Sequence, residues 1–301
     1  MNKNISTINK IIKIIFPTIG MLFLIELFFM LNAELRIIFQ KINNYPILYG
    51  IALPFAIFIV ANLSCICMEY FIPGTKNKRK YMQGLKYWLL FFCVNIFLAN
   101  LFIYLISKFN FDPILKINMQ GSWGGWFEVV VGIFGFLLIF DFFYYTFHRM
   151  QHTIPFLWKM HKVHHSIENL NCINCYHHIF EEVLRFPVIT IPMAFLLKFD
   201  TGQIIFATSF VGTWSYYIHS DMKLHISQAI PFFNDNAHHR IHHGYEKKYY
   251  NKNYSAFFPI WDKIFGTYKK PNYNEAFPRV GLAEIQQPDS MLNYLIIPFK
   301  K

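Results

Sequence analysis

Length, composition and charge set this chain apart from soluble globular proteins. It has 301 residues, of which 54% are hydrophobic and only 15% are charged, so it is more apolar and less charged than soluble domains are. Its formal net charge of +11 does not indicate a nucleic-acid partner, because the basic residues lie between apolar blocks and not along a soluble face. We therefore predict an integral, multi-pass membrane protein.

Four apolar blocks are long enough to cross a bilayer, for which about 20 residues are needed. These predicted spans are residues 11–31, 49–72, 87–106 and 126–147. Two shorter apolar stretches follow, 183–197 and 203–218, and their length fits either a thin transmembrane hairpin or a re-entrant pair. The predicted fold is all-α: a membrane helical bundle of four long spans and a short hairpin, with a helical, histidine-rich metal-binding cap.

The basic loop at residues 76–86 sets the predicted orientation. Lys and Arg favour the cytoplasmic side of a membrane, so this loop and the N-terminus are expected to face the cytosol. The fourth span and the hairpin then both end on the cytosolic side. The histidine-rich segments that follow them are expected there too, at the membrane surface.

Three histidine motifs carry the clearest chemical pattern in the chain. They are HRMQH at 148–152, HKVHH at 161–165 and HRIHH at 239–243. Residues three and four apart share one face of a helix, so the spacing places two or three imidazoles of each motif together. Imidazole is a common ligand of iron, zinc and copper, and these side chains exceed the needs of one ion. We predict two metal ions held close together.

The motifs restrict the metal chemistry without selecting one metal. The sequence has no His-Glu-x-x-His zinc protease motif, since Arg149 follows His148. A haem would need only one or two axial histidines, so three histidine motifs do not indicate a haem protein. Iron binds imidazole well, and a pair of irons with histidine ligands beside a membrane suits oxygen activation. The sequence does not exclude manganese or zinc as the bound metal.

The order HRxxH, HxVHHS and HRxHH resembles the fatty acid hydroxylase and sterol desaturase superfamily of membrane non-haem di-iron oxidases. NKNYS at 251–255 and WDKIFGTY at 261–268 resemble the endings of that superfamily. Ile218-His219-Ser220 and the wording of the third motif are closest to the alkylglycerol-monooxygenase-like branch. We predict N-terminal transmembrane helices at 1–124, a catalytic domain at 125–270 and a C-terminal tail at 271–301.

The resemblance implies a set of metal ligands and no catalytic side chain beyond the metal centre. The implied ligands are His148, His152, His161, His164, His165, His178, His219, His239, His242 and His243. For the ligand at His178, the neighbouring His177 is the alternative donor, because the local sequence YHHIFE departs from the R-x-H-P-x-E of relatives.

Further side chains are predicted to support these ligands from behind. They are Asp141, His177, Glu181, His238 and Asp262. Asp141 precedes His148 by about two turns and lies on the same helix face, where it is predicted to accept a hydrogen bond from a ligand histidine. A helix–helix hydrogen bond is the alternative role for Asp141. For Glu181 and Asp262, an ordinary surface position is the alternative.

The resemblance also implies an activity: oxygen-dependent oxidation of a lipid C–H bond at a di-iron centre, with O2 as co-substrate. Hydroxylation of an acyl, alkyl or sterol chain is the leading hypothesis, and desaturation is the second. The hypothesis from a different functional class is a membrane protein that binds metal without catalysis. The sequence carries no dinucleotide, iron–sulfur or cytochrome b5-type haem motif, so we expect electrons from a separate electron-transfer protein.

Overall fold

The computed structural model describes residues 53–74, 81–108, 113–116, 126–198 and 201–300. The predicted first span, 11–31, lies outside these residues. Within the described part the chain is helical, as its apolar blocks predict. The first helices are α1 (Leu53–Phe71), α2 (Tyr81–Ser107), α3 (Trp126–Thr153) and α4 (Pro155–His165). The helices α5 (Phe180–Arg185), α6 (Ile191–Leu196), α7 (Thr201–His219), α8 (Ile226–Ala229), α9 (Asn236–His242), α10 (Pro259–Ile264) and α11 (Met291–Ile296) follow.

One described helix is long and apolar enough to cross a membrane, judged by length and composition. It is the stretch Val131–Thr153 of α3, with 23 residues and a mean hydropathy of 1.5. Only 33% of its most apolar window is buried inside the protein, so much of its apolar surface is available to lipid. The helix continues past the predicted span end at 147 and carries the first histidine motif in its last turns. Helices α1 and α2 coincide with the predicted spans 49–72 and 87–106.

The predicted hairpin 183–218 is helical but its first arm is interrupted. Between α5 and α6 the chain forms a π-helical turn at Phe186–Thr190. Pro187 lies within this irregularity and Pro192 follows it, and each lacks the backbone N–H that a regular helix would use. After α6 the chain forms a two-residue parallel pairing, β2 (Leu197–Lys198) with β1 (Leu115–Lys116), the only strand pairing in the described ranges. The second arm is α7.

A buried carboxylate that the sequence does not predict joins α1 to two later segments of the chain. Glu69 is fully buried and accepts hydrogen bonds from the backbone N–H groups of Cys172 at 3.0 Å and Asp221 at 2.6 Å. The hydroxyl of Tyr81 donates to the same carboxylate at 2.7 Å. A buried carboxylate needs such donors to offset its lost hydration. Glu69 thereby connects α1 to the segments that follow α4 and α7.

Candidate metal centre

Four helices bring histidines to one place. His148 and His152 lie in the last turns of α3, and His219 is the last residue of α7. The second motif lies on α4 and the third on α9. The carboxylate of Asp235 caps α9 by accepting two backbone N–H groups of its first turn, at 3.0 and 3.2 Å. This cap fixes the start of the helix that carries the third motif.

The first group contains five imidazoles from three helices. Its members are His148, His152, His161, His165 and His242. One ring nitrogen of each lies within 4.8 Å of the others, and the Nε2 atoms of His148 and His161 are 3.1 Å apart. The indole of Trp158 packs on this group, with its ring centroid 5.1 Å from that of His152 and 5.5 Å from that of His165.

The second group contains four buried imidazoles. Its members are His164, His219, His239 and His243, whose ring nitrogens also lie within 4.8 Å of one another. The Nε2 atom of His219 lies 3.1 Å from that of His164 and 2.8 Å from that of His239. The Nε2 atom of His243 is 3.2 Å from that of His239. This set therefore converges on one point, as the first group does.

The His-His pairs that end the second and third motifs each contribute one ring to each group. His165 belongs to the first group and its neighbour His164 to the second, and His242 and His243 divide in the same way. Successive residues of a helix point about 100° apart, which separates the two rings. The groups nevertheless touch, because the rings of His165 and His243 stack with centroids 4.4 Å apart. Two ions bound in these groups would be neighbours.

The distances between the ring nitrogens are those expected of ligands around a metal ion and not those of uncharged rings without one. Ligand nitrogens about 2.1 Å from a metal and at right angles to each other are about 3 Å apart, close to the separations seen here. Two facing imidazole lone pairs at that distance repel unless a proton or an ion lies between them. Among the described residues, the buried Nε2 atoms of His152, His165 and His242 have no hydrogen-bond partner. Bound metal ions would satisfy these atoms.

Backbone carbonyl groups orient several of the rings from behind. The paired atoms are His148 Nδ1 with Tyr254 O at 2.7 Å, His164 Nδ1 with Tyr176 O at 3.1 Å, His242 Nδ1 with Lys252 O at 2.8 Å and His219 Nδ1 with Ser215 O at 2.6 Å. A carbonyl oxygen only accepts, so each Nδ1 carries the proton and donates it. This leaves the Nε2 lone pair of each ring directed into its group.

Burial keeps these imidazoles neutral. It lowers the pKa of His242 to about 3, and it holds the pKa values of His164 and His243 well below the usual range, with neighbouring imidazoles adding to the shift. Only a neutral imidazole has a free lone pair for a metal ion. The rings are therefore ready to bind metal at neutral pH without first losing a proton.

Glu181 is the acidic side chain that supports the first group. Its Oε2 accepts hydrogen bonds from His161 Nδ1 at 3.0 Å, His177 Nδ1 at 3.1 Å and Gln151 Nε2 at 2.6 Å. Burial alone would raise the pKa of Glu181, but His177 and His161 outweigh it and hold that pKa well below its usual range. The ionised carboxylate fixes the orientation of the His161 ring.

Replacement of Glu181 by glutamine is expected to weaken metal binding in the first group by roughly 10- to 100-fold, the usual cost of losing a partner behind a ligand. The amide keeps one accepting oxygen and turns a donor toward the ring N–H groups. Chelator competition with the purified variant measures this loss. Glu182→Gln is the matched control, because the Glu182 carboxylate pairs with Arg185 at 2.6 Å. Equal losses in both variants would contradict this role.

The two aspartates that were predicted to support ligand histidines instead accept hydrogen bonds from backbone N–H groups. Asp141 accepts from the N–H groups of Ala256, Phe257 and Phe258 at 2.8, 3.0 and 2.8 Å. Asp262 accepts from the N–H groups of Tyr254 and Ser255 at 2.8 and 3.0 Å and from the Thr267 hydroxyl at 2.7 Å. Both carboxylates therefore act on His148 indirectly, because they fix the loop whose Tyr254 carbonyl accepts a hydrogen bond from His148.

The histidines outside the two groups differ in their surroundings. His178 lies apart from both groups, with its Nε2 donating to the Leu295 carbonyl at 3.4 Å. His177 lies beside them, since its ring stacks on that of His164 with centroids 3.8 Å apart and an interplanar angle of 15°. His238 contacts Asp235, the cap of α9, at 2.9 Å. The geometry thus favours His177 over His178 as the histidine nearest the centre.

Sequence reasoning did not find the supporting groups that come from the backbone. The carbonyl oxygens of Tyr176, Ser215, Lys252 and Tyr254 have no residue-type pattern, because every residue carries the same acceptor. Gln151 was also missed, although it lies inside the first motif, one residue before His152. A polar side chain at that place in an apolar helix is a usable pattern, because burial would require it to have a partner.

Comparison with known proteins finds similarity in the same part of the chain that carries the three histidine motifs. Residues 133–267 match the fatty acid hydroxylase family. The chain is 28% identical to human alkylglycerol monooxygenase over 147 residues, which are 49% of this chain and 31% of that protein. It is 31% identical to human lathosterol oxidase over 154 residues (49% of this chain, 48% of that protein).

The Delta(7)-sterol 5(6)-desaturase of Eremothecium gossypii is 30% identical over 163 residues, which are 53% of this chain and 42% of that protein. The matches thus span less than half of the length of each of these relatives, and no solved structure matches the chain. The resemblance indicated by the histidine motifs is confirmed: residues 133–267 match the fatty acid hydroxylase family, and the similar proteins include alkylglycerol monooxygenases and sterol desaturases.

Proposed function

We propose that this chain is a membrane-bound, oxygen-dependent oxidoreductase that hydroxylates an unactivated C–H bond of an acyl, alkyl or sterol lipid. The observation that carries the proposal is the pair of touching imidazole groups, one of five rings and one of four. We further propose that these rings are the ligands of two iron ions and that His178 is not a ligand. Neutral nitrogen donors suit iron, and the family match favours an enzyme over a non-catalytic metal-binding protein.

When bound, the metal pair supplies the reduction of O2: a lipid R–H, O2, two electrons and two protons give R–OH and water. The chain's own part is to orient the imidazole rings and to exclude water from them. Backbone carbonyls and Glu181 fix the rings, so that little movement is needed when metal binds. Trp158 covers one side of the first group, and the burial of the second group removes water that would compete for the metal.

The substrate is proposed to reach this centre from the bilayer. The candidate span Val131–Thr153 ends within the first histidine motif, so the ligands His148 and His152 lie at one end of a helix whose apolar surface can face lipid. We propose that the remaining predicted spans also cross the membrane and that both imidazole groups lie on the cytoplasmic side. The basic segment 76–86 supports that orientation.

Electrons are proposed to come from a separate electron-transfer protein. The reaction needs two electrons for each O2, and the sequence holds no motif for a flavin, haem or iron–sulfur donor. A chain with a net charge of +11 attracts acidic partners, and such attraction mainly raises the rate of encounter.

Desaturation is the second candidate, supported by the match to a sterol desaturase. It would consume the same O2 and electrons, remove two hydrogen atoms from neighbouring carbons and yield two water molecules. The ligand geometry is common to both outcomes, because the choice depends on how the substrate carbon is placed relative to the oxidant.

Comparison of lipid extracts distinguishes these outcomes. A host that expresses the wild-type chain, supplied with isotopically labelled O2, is expected to contain a lipid that is heavier by one labelled oxygen atom. The same host with the His242→Ala variant is expected to lack it. A product lighter by two hydrogen atoms and free of label would establish desaturation. Identical lipids in both hosts, with an electron donor present, would contradict the proposed activity.

A further inference from the structure

The C-terminal segment 287–299 packs against the loop that follows the second histidine motif. We call this segment the C-terminal clasp. The Gln287 side chain accepts from the Glu168 N–H at 3.1 Å and donates to Asn174 Oδ1 at 3.4 Å. The Tyr87 hydroxyl on α2 donates to the Pro288 carbonyl at 3.1 Å. The clasp thus joins α2 to this loop, although it lies outside the family match at 133–267.

Tyr294 is the centre of the clasp. Its side chain is fully buried, and its ring stacks on that of Tyr87 with centroids 4.7 Å apart. Its hydroxyl donates to the carbonyl oxygen of His177 at 2.6 Å. In the next residue, the Leu295 carbonyl accepts from His178 Nε2 at 3.4 Å. The backbone at 177 and the side chain of 178 are therefore both fixed by α11.

The residues fixed in this way hold His164, a member of the second imidazole group. His164 Nδ1 donates to the carbonyl of Tyr176, one residue before the carbonyl that Tyr294 holds. The His177 ring lies face to face with the His164 ring. Movement of residues 176–177 would release both the acceptor and the stacking partner of this ring. If residue 177 moves, Glu181, which supports the first group, would lose its bond to His177 Nδ1 but would still accept from Gln151 and His161.

We propose that Tyr294 is a positioning residue for the second metal site, acting through residues 176 and 177 on the orientation of His164. The proposal rests on the metal centre described under the proposed function but not on the lipid reaction. It gives the C-terminal segment a role in assembling the centre, beyond that of a tail. The hydroxyl is the part that matters, because it alone makes the hydrogen bond to the His177 carbonyl.

Cobalt binding tests this role without any measurement of turnover. The purified full chain is titrated with Co²⁺ against a competing chelator, and the visible spectrum of bound cobalt is recorded. The wild-type chain is expected to bind in two steps. Tyr294→Phe keeps the ring and loses the hydroxyl, so it is expected to weaken one step by about tenfold, the lower end of the cost of losing a partner behind a ligand, and to shift the spectrum of that step.

Double variants assign the affected step to a group. In a His239→Ala chain, whose second group is already damaged, the added effect of Tyr294→Phe should disappear. In a His242→Ala chain, whose first group is damaged, it should persist, since independent sites add and shared sites do not. Tyr250→Phe is the matched control, because its hydroxyl donates to the backbone carbonyl of Tyr245 at 3.2 Å, outside both imidazole groups.

Three results would overturn the proposal. They are an equal loss in both steps, no loss in either step, and a loss that Tyr250→Phe reproduces. A wild-type chain that binds no cobalt would overturn the metal centre and this role together, whereas two intact steps in Tyr294→Phe would overturn the role alone. The thermal unfolding midpoint of each variant shows that the protein compared is folded.

Discussion

Replacement of His242 by alanine is expected to abolish lipid oxidation and to remove metal from the first imidazole group. His242 supplies one of five ring nitrogens that lie within 4.8 Å of one another, and its own ring is held by the Lys252 carbonyl at 2.8 Å. Loss of a direct ligand is expected to cost more than the roughly 10- to 100-fold in metal affinity that loss of an outer partner costs. Metal analysis and product formation should fall together.

A matched histidine replacement makes this result specific. His225 lies outside both groups, where its ring contacts Tyr273 with centroids 4.9 Å apart, so His225→Ala should keep its metal and its activity. A His242→Ala chain that retained full metal content and turnover would show that the first group is not the reacting centre. Loss of activity with retention of both metals would limit His242 to a role in the reaction.

Replacement of Asp141 by asparagine is expected to lower the free energy of unfolding by about 3 kcal/mol, the upper end of the cost of leaving a buried donor without a partner. The fully buried carboxylate accepts three backbone N–H groups, from residues 256 to 258. An amide has one accepting oxygen, so its NH2 group faces at least one N–H that then has no partner. The midpoint of thermal unfolding in detergent, compared with that of the wild-type chain, measures this loss.

The same change should also loosen the first group, because residues 254–258 present the Tyr254 carbonyl to His148 Nδ1 at 2.7 Å. Glu275→Gln is the control for the charge change, since Glu275 is exposed and accepts a hydrogen bond from the Asn272 amide at the surface. Surface changes of this kind usually alter stability by about 0.5 kcal/mol or less. An Asp141→Asn chain as stable as Glu275→Gln would contradict the structural role of this carboxylate.

The sequence predicts part of the local arrangement of the histidines: the expectation that all three rings of a motif lie together is wrong for the second and third motifs, which are each divided between the two groups. Spacings of three and four residues place rings on one helix face, and the helices α3, α4 and α9 carry the three motifs as predicted. The division into two groups follows from the same helical geometry, because neighbours such as His164 and His165 must point in different directions. The His-His pairs that end the second and third motifs were thus a pattern from which the division could have been predicted.

Long-range partners could not be predicted in the same way. Asp141 was expected beside a ligand histidine because both lie on one face of α3, yet its carboxylate binds backbone more than a hundred residues later in the chain. Glu69 and Tyr294 gave no pattern at all, since the residues that they contact come from distant segments. Helical periodicity records which residues share a face, and the packing of different segments decides what that face meets.

Anomalous scattering from crystals of the iron-loaded chain, recorded at the iron absorption edge, tests the central claim most directly. Two peaks are expected, one among His148, His152, His161, His165 and His242 and the other among His164, His219, His239 and His243. A single peak, or peaks outside these two imidazole groups, would contradict the account of a two-metal centre.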